Sequence, residues 1–207
     1  MTHFKTPQEE FWAGEFGDEY SARIDGSDYM AAHTAMHARI LQRTLGVKSM
    51  LEFGSNIGLN LRAIKHLIPG IELSATELNP TAIRALEAMS YVKNIYKQSI
   101  LEFEPDYERD LVLIKGVLIH INPEMLPAVY ERLYRSSKKY ICIAEYYNPT
   151  PVVVEYRGHH EKLFKRDFAG EILDKYPNLT LVDYGFVYHR DNNFALGDLN
   201  WFLMEKL

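Results

Sequence analysis

Cysteine is almost absent from this 207-residue chain, Cys142 being the only one. A single thiol excludes an intrachain disulfide framework and any zinc module built on several cysteines. Its setting, Tyr140-Ile141-Cys142-Ile143-Ala144, marks it as core packing. Positive charge is also in deficit: 23 Lys and Arg face 28 Asp and Glu, for a formal net charge of −5. The surface as a whole therefore has no grip on nucleic acid or an anionic membrane. No run of about 18 apolar residues is present to cross a bilayer, and Met1 to Pro7 carries no apolar signal segment. Repeats and low-complexity stretches are missing too. These absences predict a soluble, cytoplasmic protein.

Apolar residues make up 47% of the chain and charged residues 25%, ordinary proportions for one globular domain spanning 1–207. The first part, 1–46, reads as a cap. It is dense in aromatics (Phe11, Trp12, Phe16, Tyr20), which predicts that it docks on the body. A helix follows, with Ser27 and Asp28 available to cap it, Met36, Ile40 and Leu41 at helical spacing, and Gly46 available to end it. From 47 to 207 apolar strand-like runs alternate with helical periodicity. Strands are predicted at Val47 to Phe53, Ile71 to Thr76, Val92 to Tyr96, Leu111 to Ile114 and Tyr140 to Ala144. Asn79-Pro80, Asn122-Pro123 and Asp167 are helix starts. Two late runs, Leu179 to Val187 and Trp201 to Met204, have no helix between them and predict an antiparallel hairpin at the sheet edge. The fold expected is α/β, a doubly wound and mainly parallel sheet with an antiparallel edge strand and an N-terminal aromatic, helical cap.

In such sheets ligands bind beyond the carboxyl ends of the strands. The first strand runs into Gly54-Ser55-Asn56-Ile57-Gly58, where absent side chains let a ligand approach the backbone. Glu77 then ends the second strand, beside Leu78 and 19 residues after Gly58, where a carboxylate can accept both hydroxyls of a ribose. The pair indicates an adenosine-type cofactor. A dinucleotide site wants Gly-x-Gly-x-x-Gly, and the spacing Gly54-x-x-x-Gly58 does not supply it. Trp12, Tyr20 and Arg23 suit a flap over the cofactor.

The turn resembles motif I of the class I S-adenosylmethionine-dependent methyltransferases, commonly acid-x-Gly-x-Gly-x-Gly. Glu52 takes the acid position, Gly54 and Gly58 the outer glycines, and Asn56 stands in place of the middle one. Gln98-Ser99-Ile100 falls where such enzymes often carry an acid that contacts the adenine amine; here Ser99 has no charge, and Ile100 can pack on the base. Asp110 to Pro123, including Lys115 and His120, resembles the fourth motif, a buried strand whose end touches cofactor and acceptor. More narrowly, four stretches look like the pseudaminic acid biosynthesis-associated methylases: Phe11 to Tyr20, Glu145 to Pro151, Tyr156 to Glu171 and Tyr188 to Phe194.

The resemblance implies S-adenosylmethionine as cofactor and methyl transfer to a small polar acceptor, a sugar or nucleotide sugar of a nonulosonic acid pathway. Tyr146, Tyr147 and Asn148 follow the fifth strand and are placed to meet that acceptor, while Tyr156, Arg157, Lys165 and Arg166 form a basic loop suited to an anion. An oxygen acceptor needs a base, for which His120, Glu145 and His159 are candidates. His159-His160 is no metal site, because adjacent side chains diverge. Two other readings stay open at this level: an NAD-dependent oxidoreductase, and a cofactor-binding protein without catalysis.

Overall fold

A computed structural model describes residues 4–23 and 27–207, without the side chains of Ser27 and Asp28, so the capping predicted for these two lies outside what is described. The chain opens with α1 (Pro7–Ala13), α2 (Glu15–Arg23) and α3 (Ser27–Leu41). Thr6 and Glu9 close a reciprocal capping box at the start of α1, and Pro7 fills the first helical position, where a missing amide costs nothing. The helix α3 stops at Leu41, ahead of Gly46, whose left-handed φ of 71° belongs to the following turn.

Strand and helix then alternate as β1 (Ser49–Phe53), α4 (Leu59–Leu67), β2 (Glu72–Glu77), α5 (Pro80–Glu87), β3 (Val92–Lys97), β4 (Arg109–Lys115), α6 (Leu126–Ser136) and β5 (Ser137–Glu145). Asn79 caps α5 by accepting the Ala82 amide, and Asp167 caps α7 (Phe168–Lys175) by accepting that of Gly170. Asn122-Pro123 opens a 3-10 turn over Pro123–Met125 that leads into α6. The last strands are β8 (Leu179–Val187) and β9 (Leu199–Lys206).

The main sheet has the order β3-β2-β1-β4-β5-β9-β8. Its first five strands are parallel, whereas β9 runs antiparallel to both β5 and β8. Strand order reverses between β1 and β4, and a crevice opens there at the carboxyl ends. Alternate residues serve opposite faces. Met50, Leu73, Leu113 and Cys142 pack with Met36, Ile40, Leu61 and Leu86 on one side. Leu51, Phe53, Val112 and Ile143 pack with Val129, Leu133, Phe168 and Ile172 on the other. Burial on both faces is why β4 and β5 carry unbroken apolar runs.

The basic segment expected as a loop is instead a hairpin, β6 (Val152–Tyr156) and β7 (His159–Lys165), in a second two-stranded sheet. Arg157 and Gly158 turn it with φ of 50° and 83°, positive at both central positions as a two-residue hairpin of the right twist requires. Among the described residues no helix is long and apolar enough to cross a membrane.

Candidate functional site

Three left-handed residues shape the turn after β1: Gly54 (φ 70°), Asn56 (φ 46°) and Gly58 (φ 76°). Asparagine tolerates that region better than other side chains, so Asn56 can stand where a glycine would. The turn is internally bonded. Gly54 and Ser55 donate their amides to Thr76 O at 3.0 and 3.1 Å, Gly58 donates to Ser55 O at 2.9 Å, and Asn56 donates to Glu77 Oε2 at 2.7 Å. Glu77 Oε1 takes the amides of Leu78 and Asn79, both at 2.8 Å. With these amides occupied, the turn offers no nest for a pyrophosphate. A Cβ on Gly58 would meet Met89 Cε at 2.8 Å and Leu86 Cδ2 at 3.0 Å. This glycine serves helix packing; the space it leaves is filled by α5 and the turn behind it, not by a ligand.

Above the turn lies a cavity of about 680 Å³. Its floor includes Gly54, Ser55, Asn56, Glu77, Leu78, Ser99, Ile100 and Lys115, and its roof includes Trp12, Tyr20 and Arg23. The roof is tied down: Ser21 donates its hydroxyl to Asn56 Oδ1 at 2.7 Å, and Asn79 Nδ2 donates to Trp12 O at 3.1 Å. Gly116, inside the stretch that resembles the fourth motif, also lines the cavity with a φ of 65°, and nothing among the described residues lies within 4 Å of where its Cβ would stand.

His120, Tyr146, Tyr156 and Arg157 line the same cavity. The ring of His120 lies 4.5 Å from that of Trp12 and 5.1 Å from that of Tyr156. Its Nδ1–H donates to Lys162 O at 2.6 Å, which leaves Nε2 with a lone pair. Burial holds the imidazole neutral, its pKa lowered to about 4. Arg157 sits exposed at the mouth.

A polar network supports the floor. Asn60 Nδ2 donates to Glu52 Oε1 at 2.5 Å, and Asn60 Oδ1 accepts from His33 Nδ1 at 2.6 Å and His37 Nε2 at 2.9 Å. Burial raises Glu52 to about 8 and lowers both histidines. Lys115 lies within the field of Glu52 and Glu145, and burial lowers its pKa. Asn60 and His33 are cavity residues that no local sequence pattern announces.

Several expected site residues lie elsewhere. Glu52 and Glu145 are fully buried behind the wall, and Glu145 Oε1 is taken by the Val117 and Leu118 amides at 2.9 and 2.8 Å. Tyr147 is exposed and leans on Phe202, while Asn148 donates to Thr150 O. His159 is exposed against the ring of Phe11. Lys165 sits over Tyr146, and Arg166 pairs with Glu171 at 2.6 Å. Strand alternation and the hairpin turn these groups away from the cavity.

No family model matches the chain, and no curated protein matches it in sequence. Solved structures do match in fold. The magnesium protoporphyrin IX methyltransferase of Synechocystis PCC 6803, with bound SAM, is 12% identical with a TM-score of 0.69, over 100% of both chains. The 1,6-didemethyltoxoflavin-N1-methyltransferase of Burkholderia thailandensis, with 1,6-didemethyltoxoflavin and S-adenosylhomocysteine bound, is 14% identical with a TM-score of 0.69, over 100% of this chain and 92% of that one. The plantazolicin methyltransferase BpumL, in complex with SAH, is 13% identical with a TM-score of 0.66, over 96% and 93%. The chain thus has the Rossmann-like methyltransferase fold.

Proposed function

We propose that this chain is an S-adenosylmethionine-dependent methyltransferase acting on a small polar acceptor. The observation that carries the reading is the glycine turn: the amides of Gly54, Ser55, Asn56 and Gly58 are all taken by protein acceptors, it abuts Glu77, and it faces a cavity of about 680 Å³. That arrangement suits a nucleoside without a pyrophosphate. Glu77 Oε2, which has one protein partner, keeps a lone pair for a ribose hydroxyl. Asn56 and Gly54 lie beneath the sugar, Leu78, Ser99 and Ile100 flank the base, and Arg23, Tyr20 and Trp12 close over the rest with 1–46 acting as a cap. Bound there, S-adenosylmethionine supplies a methyl group made electrophilic by its sulfonium.

The chain's own residues align the acceptor and manage its proton. His120 Nε2 is the available base, since its other nitrogen is held by Lys162 O. Glu145 positions the loop that carries His120 through its bonds to Val117 and Leu118. Tyr146, Tyr156 and Arg157 contact the acceptor, and the planar guanidinium at the mouth favours an anion. The resemblance over Tyr156 to Glu171 supports a sugar or nucleotide sugar of a nonulosonic acid pathway. Titration calorimetry with S-adenosylhomocysteine and with NAD tests the cofactor, and preference for NAD would overturn the reading. Methyl transfer to amino and nonulosonic sugars tests the acceptor class, and activity confined to neutral, sugar-free acceptors would overturn that part.

A further inference from the structure

Two acceptor atoms in the roof of the cavity are buried and have no partner among the described residues. Glu9 is 5% exposed and Gln8 is 7% exposed, and both line the cavity. The capping box uses only one carboxylate oxygen: Glu9 Oε2 accepts the Thr6 amide at 2.8 Å, while Oε1 accepts nothing. Gln8 Nε2 donates to Glu161 O at 3.1 Å, and its Oε1 likewise accepts nothing. Burying an unpaired acceptor is costly, and more so a charged one, unless a ligand supplies the donor.

The position of these atoms limits what the donor is. Lys5 Nζ donates to Leu101 O at 2.9 Å and pins the start of α1 over the turn that follows β3. That end of the cavity has the apolar walls Leu78, Ile100 and Leu101, suited to a flat base. The turn itself offers no carboxylate there: it reads Gln98-Ser99-Ile100-Leu101, and the Ser99 hydroxyl oxygen already takes the Leu101 amide at 3.0 Å. We infer that Glu9, assisted by Gln8, accepts the exocyclic amine of the cofactor's adenine, so that base specificity comes from the N-terminal cap and not from the strand ends. The inference rests on the cofactor proposed above.

The test uses the full chain and two ligands: S-adenosylhomocysteine, and S-inosylhomocysteine, in which a carbonyl oxygen replaces the amine. Wild-type protein should bind the adenosyl compound about 10- to 100-fold more tightly, the range expected for a hydrogen bond to a charged group. Glu9→Gln keeps the capping box, because the Thr6 amide holds the glutamine oxygen on its side and turns the NH2 toward the ligand. This variant should melt as wild type does and lose the discrimination. Gln8→Met removes the second acceptor together with the anchor to Glu161 O, and should lose part of the discrimination and lower the melting temperature. Wild-type discrimination retained in Glu9→Gln would overturn the inference while leaving the cofactor in place. Equal binding of both ligands by wild type would do the same. Binding of neither would bring down the cofactor reading and this inference together.

Discussion

The main-chain amide of Asn56 donates to Glu77 Oε2 across 2.7 Å, so the glycine turn and the end of β2 are locked to each other by the same carboxylate that faces the cavity. Glu77 therefore has two tasks, and they separate by substitution. Glu77→Gln keeps an acceptor for one side of the turn and should weaken cofactor binding by about tenfold. Glu77→Ala leaves the Asn56, Leu78 and Asn79 amides without their acceptor, and should lower the melting temperature as well as the affinity. Calorimetry and thermal melts on both variants check this. Unchanged melting of Glu77→Ala would show that the turn does not need the carboxylate.

His120 should act as a base with an unusually acidic limb. Because burial lowers its pKa to about 4, it stays neutral across the physiological range, and kcat/KM should not fall with a midpoint near 6.5. His120→Gln should reduce kcat by about 100- to 10,000-fold with little change in cofactor affinity, if the acceptor loses a proton. A pH–rate profile with a limb near 6.5 that vanishes in His120→Gln would contradict the burial argument.

Arg157 tests acceptor recognition. Its φ of 50° is left-handed, a conformation that asparagine also takes readily, so Arg157→Asn should preserve the β6–β7 turn while removing the guanidinium. The expected outcome is a rise of about tenfold in the acceptor KM, equivalent to about 1.4 kcal/mol, with cofactor binding unchanged. A matching loss of cofactor affinity would move Arg157 into the cofactor's part of the cavity.

Glu52 offers a stability test with a definite sign. Its carboxyl is raised to about 8 by burial, against hydrogen bonding from Asn60 and Ser55 and the charge of Lys115, with Glu77 adding to the rise. The folded form keeps the proton while the unfolded form releases it near 4.5, so this group penalises folding progressively as pH climbs between those values. Glu52→Gln escapes the penalty and can still accept from Asn60. Its melting temperature relative to wild type should therefore increase from pH 5 to pH 8. A constant difference would mean that Lys115 holds Glu52 ionised in the folded protein.

The roof should respond to its ligand. Trp12, Tyr20 and Arg23 meet the cavity from two short helices, and hydrogen exchange over 11–23 should slow when S-adenosylhomocysteine binds. Equal exchange with and without ligand would make the cap a fixed wall.

The centre of the sheet was legible because β4 and β5 are buried on both faces and advertise themselves as apolar runs, and because Asn79 and Asp167 cap in the ordinary way. The glycine turn and Glu77 were legible by spacing. Other features depend on contacts between distant segments. Nothing local shows that Glu145 turns back to bind the Val117 and Leu118 amides, or that Asn60 gathers Glu52, His33 and His37. The β6–β7 hairpin was hidden because most of its first strand is solvent-exposed and its turn is Arg-Gly, an unusual pair for that geometry. Gln8 and Glu9 read as helix-start polar residues until burial singles them out.

Much of the cap is fastened by side chains that donate to main-chain carbonyls: Lys5 to Leu101, Gln8 to Glu161, Lys162 to Pro7 and Asn79 to Trp12. A carbonyl is present whatever side chain follows it. In a saturation library the burden of holding the cap should fall on the four donors, while Leu101 and Glu161 can vary with no loss of these particular anchors. These four anchors are written in one partner of each pair, so drift at Leu101 or Glu161 leaves them in place, whereas the Ser21–Asn56 tie needs both of its side chains.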